Sequence, residues 1–271
     1  ASNLVNKIKN KKIFTINNYF SYKLSKKIKK EFNKFDFIFA RNVIAHLNNP
    51  NQTFQGVENL LKENGIFILE VPHLLNIFKQ NQYDNVFHEH IGFHSLKSIV
   101  DLCERNGLKV FDIDLINSQG GSIRCFICKE KNRKIVSKKI KKILDLENKS
   151  NLFSTKHLEQ YKYKIQKHLK SMNYLIQSLK NKRKKISIYG ASGKGQALLQ
   201  FSKIDNKLVD YVFDKSKLKQ GRLTPGTNIR IFDPKFISRR RVDYLIILSW
   251  NIKDEIIKQE HKFKKNGGKF I

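Results

Sequence analysis

A chain of 271 residues is long enough for about two domains, and its 40% apolar and 11% aromatic content exclude a disordered chain or an extended peptide. Lys and Arg number 54 against 23 Asp and Glu, a formal charge of +31. The lysines are spread along the whole chain with Asn and Ile, a pattern of biased codon usage; it predicts salt-sensitive, nonspecific attraction to polyanions and no specific nucleic-acid partner.

The first 130 residues alternate short β-branched or aromatic runs with helical patterns, the α/β signature of a mostly parallel sheet. Strands are predicted at Ile13–Ile16, Phe35–Ala40, Ile66–Val71, Lys109–Asp114 and Ser122–Cys128. Crossover helices are predicted from Thr53 to Lys62, before Gly65, and from Ser95 to Arg105, before Gly107. Gly120-Gly121 marks a reversal between the last two strands. Residues 129–185 lack Pro and Gly. There Leu158, Tyr161, Ile165, Leu169, Met172, Ile176 and Leu179 recur at helical steps, which predicts one long amphipathic helix with its Lys-rich face in solvent. A second α/β pattern follows: strand Ile186–Tyr189, the turn Gly190-Ala-Ser-Gly-Lys-Gly195, a helix through Leu198 and Leu199, strand Val209–Phe213 ending at Asp214, strand Tyr244–Leu248, and a final strand at Phe270-Ile271. The expected division is a domain over 1–130, a helical linker over 131–185 and a Rossmann-like domain over 186–271.

Cys103, Cys125 and Cys128 are too few and too unevenly placed for a secreted disulfide framework. No apolar run approaches the ~20 residues of a membrane span, and the start has no signal-peptide core. A cytoplasmic protein without a membrane partner is expected. Cys125 and Cys128, three apart in a strand, point to opposite faces, which argues against joint metal or redox use.

The densest polar cluster is Phe87-His88-Glu89-His90-Ile91-Gly92-Phe93-His94, after a strand and before a helix, where α/β proteins place ligands. A neutral imidazole near its usual pKa of ~6.5 can remove a proton from carbon beside a carbonyl. His-x-His with Glu89 or His94 can equally chelate a metal, and a loop of hydrogen-bonded histidines is the plain structural reading. Asn42 and His46 follow the strand Phe35–Ala40 at a carboxyl edge of the sheet, either in a shared cleft or as a helix cap and an interfacial histidine. The Gly190–Gly195 turn offers helix N-terminal amides to a phosphate, without the regular Gly-x-Gly-x-x-Gly spacing; Asp214 sits where a ribose-binding acid would. Lys194 and Arg222 add positive charge suited to a diphosphate.

Six runs occur in order: Ala40-Arg-Asn-Val-Ile-Ala-His46, Phe87-His-Glu-His90, Gly120-Gly-Ser-Ile-Arg124, Tyr189-Gly-Ala-Ser-Gly-Lys-Gly195, Gln220-Gly-Arg-Leu-Thr-Pro-Gly226 and Leu248-Ser-Trp-Asn251. Over nearly the whole chain they resemble the S-adenosylmethionine-dependent C-methyltransferases that act on nucleotide-linked keto-deoxysugars. The resemblance implies a partial class I (Rossmann-like) methyltransferase domain, a helical linker and a second Rossmann-like domain, with the sugar nucleotide held between the domains. Structural zinc is implied only for an N-terminal module preceding Ala1. It further implies that His90 removes the proton on sugar carbon 3, acidified by the 4-keto group, so that the enolate attacks the sulfonium methyl; Glu89 and His46 align with the base's companions. Asn18 and Asn42 are the candidates for cofactor binding. Gly190, Ser192, Lys194, Gly195 and Arg222 are the candidates for holding the sugar nucleotide, and no metal ligands are expected.

Two departures stand out. Phe87 replaces the Tyr that related sequences carry before His-Glu-His, and the family's first strand, glycine-rich cofactor loop and ribose-gripping acid would all precede Ala1. Residues 1–271 are therefore expected to bind S-adenosylmethionine poorly and to be inactive in methyl transfer; micromolar affinity by calorimetry would overturn the first expectation. The competing readings are a nonenzymatic sugar-nucleotide-binding module and a nicotinamide-dependent oxidoreductase built on the Gly190–Gly195 turn and Asp214.

Overall fold

The structure, a computed structural model, describes residues 13–271. The chain forms two compact units. The first runs through Leu75 and resumes over Ile91–Asn117 and Gly121–Ser150; the second comprises Asn76–His90, Ser118–Gly120 and Asn151–Ile271. The histidine loop through His90 is thus part of the second unit by its contacts.

In the first unit α1 (Tyr22–Phe32) starts at Ser21, whose Oγ accepts the Leu24 N–H. Then β1 (Phe35–Arg41) leads through a 3₁₀ turn, Ile44–His46, into α2 (Pro50–Leu60), where Asn49 caps and Pro50 takes the first helical position. After β2 (Leu61–Pro72) comes α3 (Leu74–Lys79), and α4 (Leu96–Glu104) opens with a reciprocal Ser95–Ser98 capping box. The hairpin of β3 (Leu108–Ile116) and β4 (Ser122–Lys129) completes a sheet of order β1-β2-β4-β3, in which β1 and β2 are parallel and the other pairs antiparallel. Gly120 and Gly121 turn the hairpin at φ +83° and +107°. Phe54, Phe67, Leu96, Ile99, Leu108 and Ile127 are fully buried between helices and sheet; each such side chain contributes about 1.5–3 kcal/mol relative to exposure. Finally α5 (Lys138–Lys149) lays Ile140, Ile143 and Leu144 on this core.

In the second unit α6 (Thr155–Asn181) packs Ile176 and Leu179 onto a sheet of five parallel strands. The elements are β5 (Ile186–Tyr189), α7 (Gly193–Phe201), β6 (Tyr211–Phe213), β7 (Ile231–Phe232), β8 (Tyr244–Ile247), α8 (Lys253–Gln259), α9 (His261–Lys265) and β9 (Lys269–Phe270). The strand order is β7-β6-β5-β8-β9, which buries β5 on both faces. Both units are α/β, as the alternating pattern requires. Among the described residues no helix is long and apolar enough to cross a membrane.

Five expectations change. The first unit's sheet, expected to be mostly parallel, has one parallel pair and two antiparallel ones, because β3 and β4 join as a hairpin and β4 runs antiparallel to β2. Ile13–Ile16 has no regular structure: no strand pairs with β1 on its other side among the described residues, so an extended run there has no ladder. The helix expected over Thr53–Lys62 spans Pro50–Leu60, and its strand starts at Leu61 because Leu61 pairs with Phe35 ahead of a register shift. The single helix expected within 129–185 is two, α5 and α6, broken where Asn151 adopts φ +50° and Leu152 turns inward to 2% exposure. The strand expected over Val209–Phe213 shortens to Tyr211–Phe213.

Candidate active site

The glycine turn of the second unit is built from inside. Gly190 sits at φ +97°, and a Cβ there would lie 2.5 Å from Ser249 Oγ. Gly195 lets α7 approach β8, since a Cβ would meet that of Leu248 at 2.9 Å. Ser192 caps α7, its Oγ accepting the Gly195 N–H at 3.1 Å. Asp214 braces the turn: Oδ2 accepts the Ala191 N–H at 2.7 Å and Oδ1 the Ser216 N–H at 2.8 Å. Lys219 Nζ donates to the Ala191 carbonyl at 2.9 Å. The acid that sequence position offered to a ribose therefore works as an internal staple.

The histidine loop sits on this turn, because a Cβ at Gly193 would be 3.3 Å from the Phe87 ring. His90 is half-buried, with its ring 4.4 Å from that of Phe87 between centroids. Its Nδ1 lies 2.8 Å from the Asn85 carbonyl oxygen. A carbonyl only accepts, so Nδ1 carries the proton and Nε2 is the basic nitrogen. His88 and Glu89 are exposed and pair loosely, at 3.8 Å. Lys194 is half-buried; burial holds its ammonium pKa below the ordinary range, and the Asp84 carboxylate opposes that shift. Its Nζ reaches Gln119 Oε1 at 3.4 Å. Arg222 is exposed, on a loop whose backbone pairs with Ile231.

Behind the loop lies a polar network that the sequence does not announce. Trp250 Nε1–H donates to Asp84 Oδ2 at 2.7 Å, Gln82 Nε2 donates to the Gly120 carbonyl at 2.6 Å, and Tyr83 Oη lies 2.5 Å from His168 Nδ1. Burial and the nearby Asp84 charge push the phenols of Tyr83 and Tyr161 up to about 12. A cavity of about 160 Å³ lies against Tyr83, Asp84, His168, Leu198 and Trp250. The one advance signal was Trp250, an indole that needs an acceptor when partly buried.

Asn42 and His46 belong to the first unit, at the carboxyl end of β1. Asn42 takes φ +52°, its N–H donates to the Glu70 carbonyl at 2.9 Å, and its Oδ1 is buried with no hydrogen-bond partner. It does not cap the following 3₁₀ turn, whose N-cap is Val43. His46, exposed, ends that turn; the turn is tied down where the Ala45 carbonyl accepts the Ile91 and Gly92 N–H groups at 2.8 and 3.0 Å. On the adjacent strands Glu70 is gripped by Arg41 at 2.9 Å and Arg124 at 3.0 Å. Asn18 is exposed in the irregular stretch before α1. Among the described residues no group of three His, Cys, Asp or Glu is placed to hold a metal ion.

His94, also of the first unit, has a buried Nε2 without a partner, and burial keeps its pKa below the usual 6.5 despite a backbone hydrogen bond at Ile44. The unfolded chain then takes up the proton more readily than the folded one. Stability is complete above about pH 6.5 and falls as pH drops from there through the folded pKa. First-unit amides are expected to exchange faster at about pH 5.5 than at about 7.5, after correction for intrinsic rates, and His94→Phe to reduce that difference.

Residues 117–271 match the family model described as C-methyltransferase C-terminal domain, and residues 5–113 one described as methyltransferase domain. The C-methyltransferase NovU of Streptomyces niveus is 30% identical over 271 residues, which are 100% of this chain and 64% of that protein. The chain thus spans 64% of that relative's length. A magnesium protoporphyrin IX methyltransferase from Synechocystis, solved with bound SAH, is 14% identical, with 35% of this chain and 45% of that one covered at a TM-score of 0.29. A S-adenosylmethionine-dependent methyltransferase from Clostridium acetobutylicum is 15% identical, with 45% and 63% covered at a TM-score of 0.30.

Proposed function

Because this chain belongs to the C-methyltransferase family, we propose that its protein is a S-adenosylmethionine-dependent C-methyltransferase in which His90 deprotonates carbon 3 of a nucleotide-linked 4-keto-deoxysugar. The observation that carries this reading is the Nδ1–H to Asn85 carbonyl bond of 2.8 Å, which leaves the imidazole lone pair on Nε2. A neutral imidazole of fixed tautomer suits proton abstraction at neutral pH. Nε2 takes the carbon-3 proton, the C–H electron pair becomes the π bond between carbons 3 and 4, and the keto oxygen takes the negative charge.

Phe87 has no hydroxyl to offer that oxygen, so His46 is the candidate donor. Glu89 is the candidate to orient an imidazole or hold a sugar hydroxyl. Lys194 and Arg222, with the α7 N-terminus after Ser192, are the candidates to hold the diphosphate; Gly190 and Gly195 keep the backbone open there. S-adenosylmethionine, when bound, supplies a methyl group on a sulfonium. Asn42 fits a place beside it, because a buried, orphaned acceptor costs about 1–3 kcal/mol until a donor reaches it; Asn18 is the second candidate. Three buried cysteines without disulfides support a cytoplasmic location.

The test is solvent exchange, which needs no methyl donor. Incubated in D₂O with a dTDP-linked 4-keto-6-deoxyhexose, the full chain is expected to introduce deuterium at carbon 3, followed by NMR. Binding of the sugar nucleotide without any exchange would replace the enzyme with a binding module.

A further inference from the structure

We propose that Asp84 is a positioning residue for His90, acting through Trp250 and the Asn85 carbonyl; the inference rests on the reading of His90 as the base. Tyr83–Asn85 forms one 3₁₀ turn, so the carboxylate of Asp84 and the carbonyl of Asn85 are fixed by the same short piece of backbone. Asp84 is 6% exposed and Asn85 fully buried. Burying a carboxylate is costly, and a packing role alone would be served by an apolar side chain.

The acceptor oxygen has a purpose in the contact it makes. Asp84 Oδ2 accepts the Trp250 indole N–H at 2.7 Å. Trp250 is itself held: a Cβ at Gly120 would collide with its ring and with the Gln82 amide. From the other side, Asn85 Nδ2 donates to the Gln82 carbonyl and to Gln82 Oε1, both at 3.2 Å. The turn is thereby anchored at both ends. Its outward product is the Asn85 carbonyl, which sets the proton on His90 Nδ1. Release of Asp84 from Trp250 lets this carbonyl drift, and the imidazole loses the bond that selects its tautomer.

The experiment uses the full chain labelled with ¹⁵N-histidine, with the His90 signal assigned by its loss in His90→Gln. The unaltered chain should show His90 protonated on Nδ1. In Trp250→Phe and in Asp84→Ala the Nε2–H form should dominate, and deuterium entry at sugar carbon 3 should slow about tenfold or more. In Trp250→Phe sugar-nucleotide affinity should stay within about twofold. Asp84→Asn, whose amide oxygen still accepts the indole N–H, should keep the Nδ1–H form. An unshifted tautomer in Trp250→Phe overturns the proposal; this variant keeps the ring beside Gly120 and decides alone if Asp84→Ala does not fold. The tautomer is read without substrate. A shift in a chain that exchanges no carbon-bound hydrogen leaves the positioning standing and removes the functional reading, while exchange with an unshifted tautomer does the reverse.

Discussion

His90→Asn is expected to abolish deuterium entry at sugar carbon 3, and methyl transfer in the whole protein with it, with sugar-nucleotide affinity held within about twofold. The substitution is nearly a deletion of one atom's chemistry. An asparagine amide N–H can replace Nδ1–H as donor to the Asn85 carbonyl, so the loop loses little of its internal bonding. What no amide supplies is the basic lone pair of Nε2. General base catalysis contributes about 10²–10⁴-fold, so the exchange rate should fall by at least about a hundredfold. The affinity should survive because the candidate diphosphate contacts, Lys194, Arg222 and the α7 N-terminus, lie on other segments of the chain. Isothermal titration with the dTDP-sugar and NMR-detected exchange separate the two effects. An exchange rate above about a third of the original would remove His90 as the base.

The reach of sequence reasoning here follows the range of the interactions involved. Alternating apolar runs made both sheets legible, because the period of a strand is local; Ile13–Ile16 failed because a strand also needs a neighbour, which the pattern cannot supply. The break between α5 and α6 was hidden for a similar reason. Asn151 takes a left-handed turn that any sequence search for Pro or Gly passes over, and Leu152 is pinned by tertiary burial. The His-Glu-His spacing marked a loop that the structure sets against the glycine turn, itself visible as Gly190–Gly195. The tautomer of His90 was not visible, since it depends on a main-chain carbonyl at Asn85. Nor was the Asp84–Trp250 bond, whose partners are 166 residues apart. Asp214 shows the opposite error: correct spacing from a glycine turn, but an acid whose oxygens serve the backbone of the turn.

Glu147→Ala is expected to destabilise the first unit by about 3–5 kcal/mol, the cost typical of removing one partner from a buried charged network. Its carboxylate, 1% exposed, is surrounded by donors: Oε1 accepts the Leu96 N–H at 2.6 Å and lies 2.6 Å from His73 Nε2, and Oε2 accepts the Lys97 N–H at 3.0 Å. Leu96 and Lys97 begin α4, where backbone N–H groups have no helical acceptor and the helix dipole favours an anion. His73 follows β2 directly and is 2% exposed. One side chain on α5 therefore holds the start of α4 and the end of β2. Its removal strands two buried donors and a part-buried third, at about 1–3 kcal/mol for each buried one, less what relaxation and entering water recover. With total stabilities of about 5–15 kcal/mol, that is a large share. Because the chain has two compact units, a single unfolding transition is not the right measure. Amide exchange in β2 and β4 reports on the first unit directly and should accelerate by two orders of magnitude or more, about 1.4 kcal/mol per decade. Glu147→Gln separates the causes: it keeps one acceptor oxygen but loses the charge at the helix start and turns an NH₂ toward a donor. A loss close to that of alanine would assign the effect to charge and acceptor count; a loss under about 1 kcal/mol would show that a single neutral acceptor suffices to join the three elements.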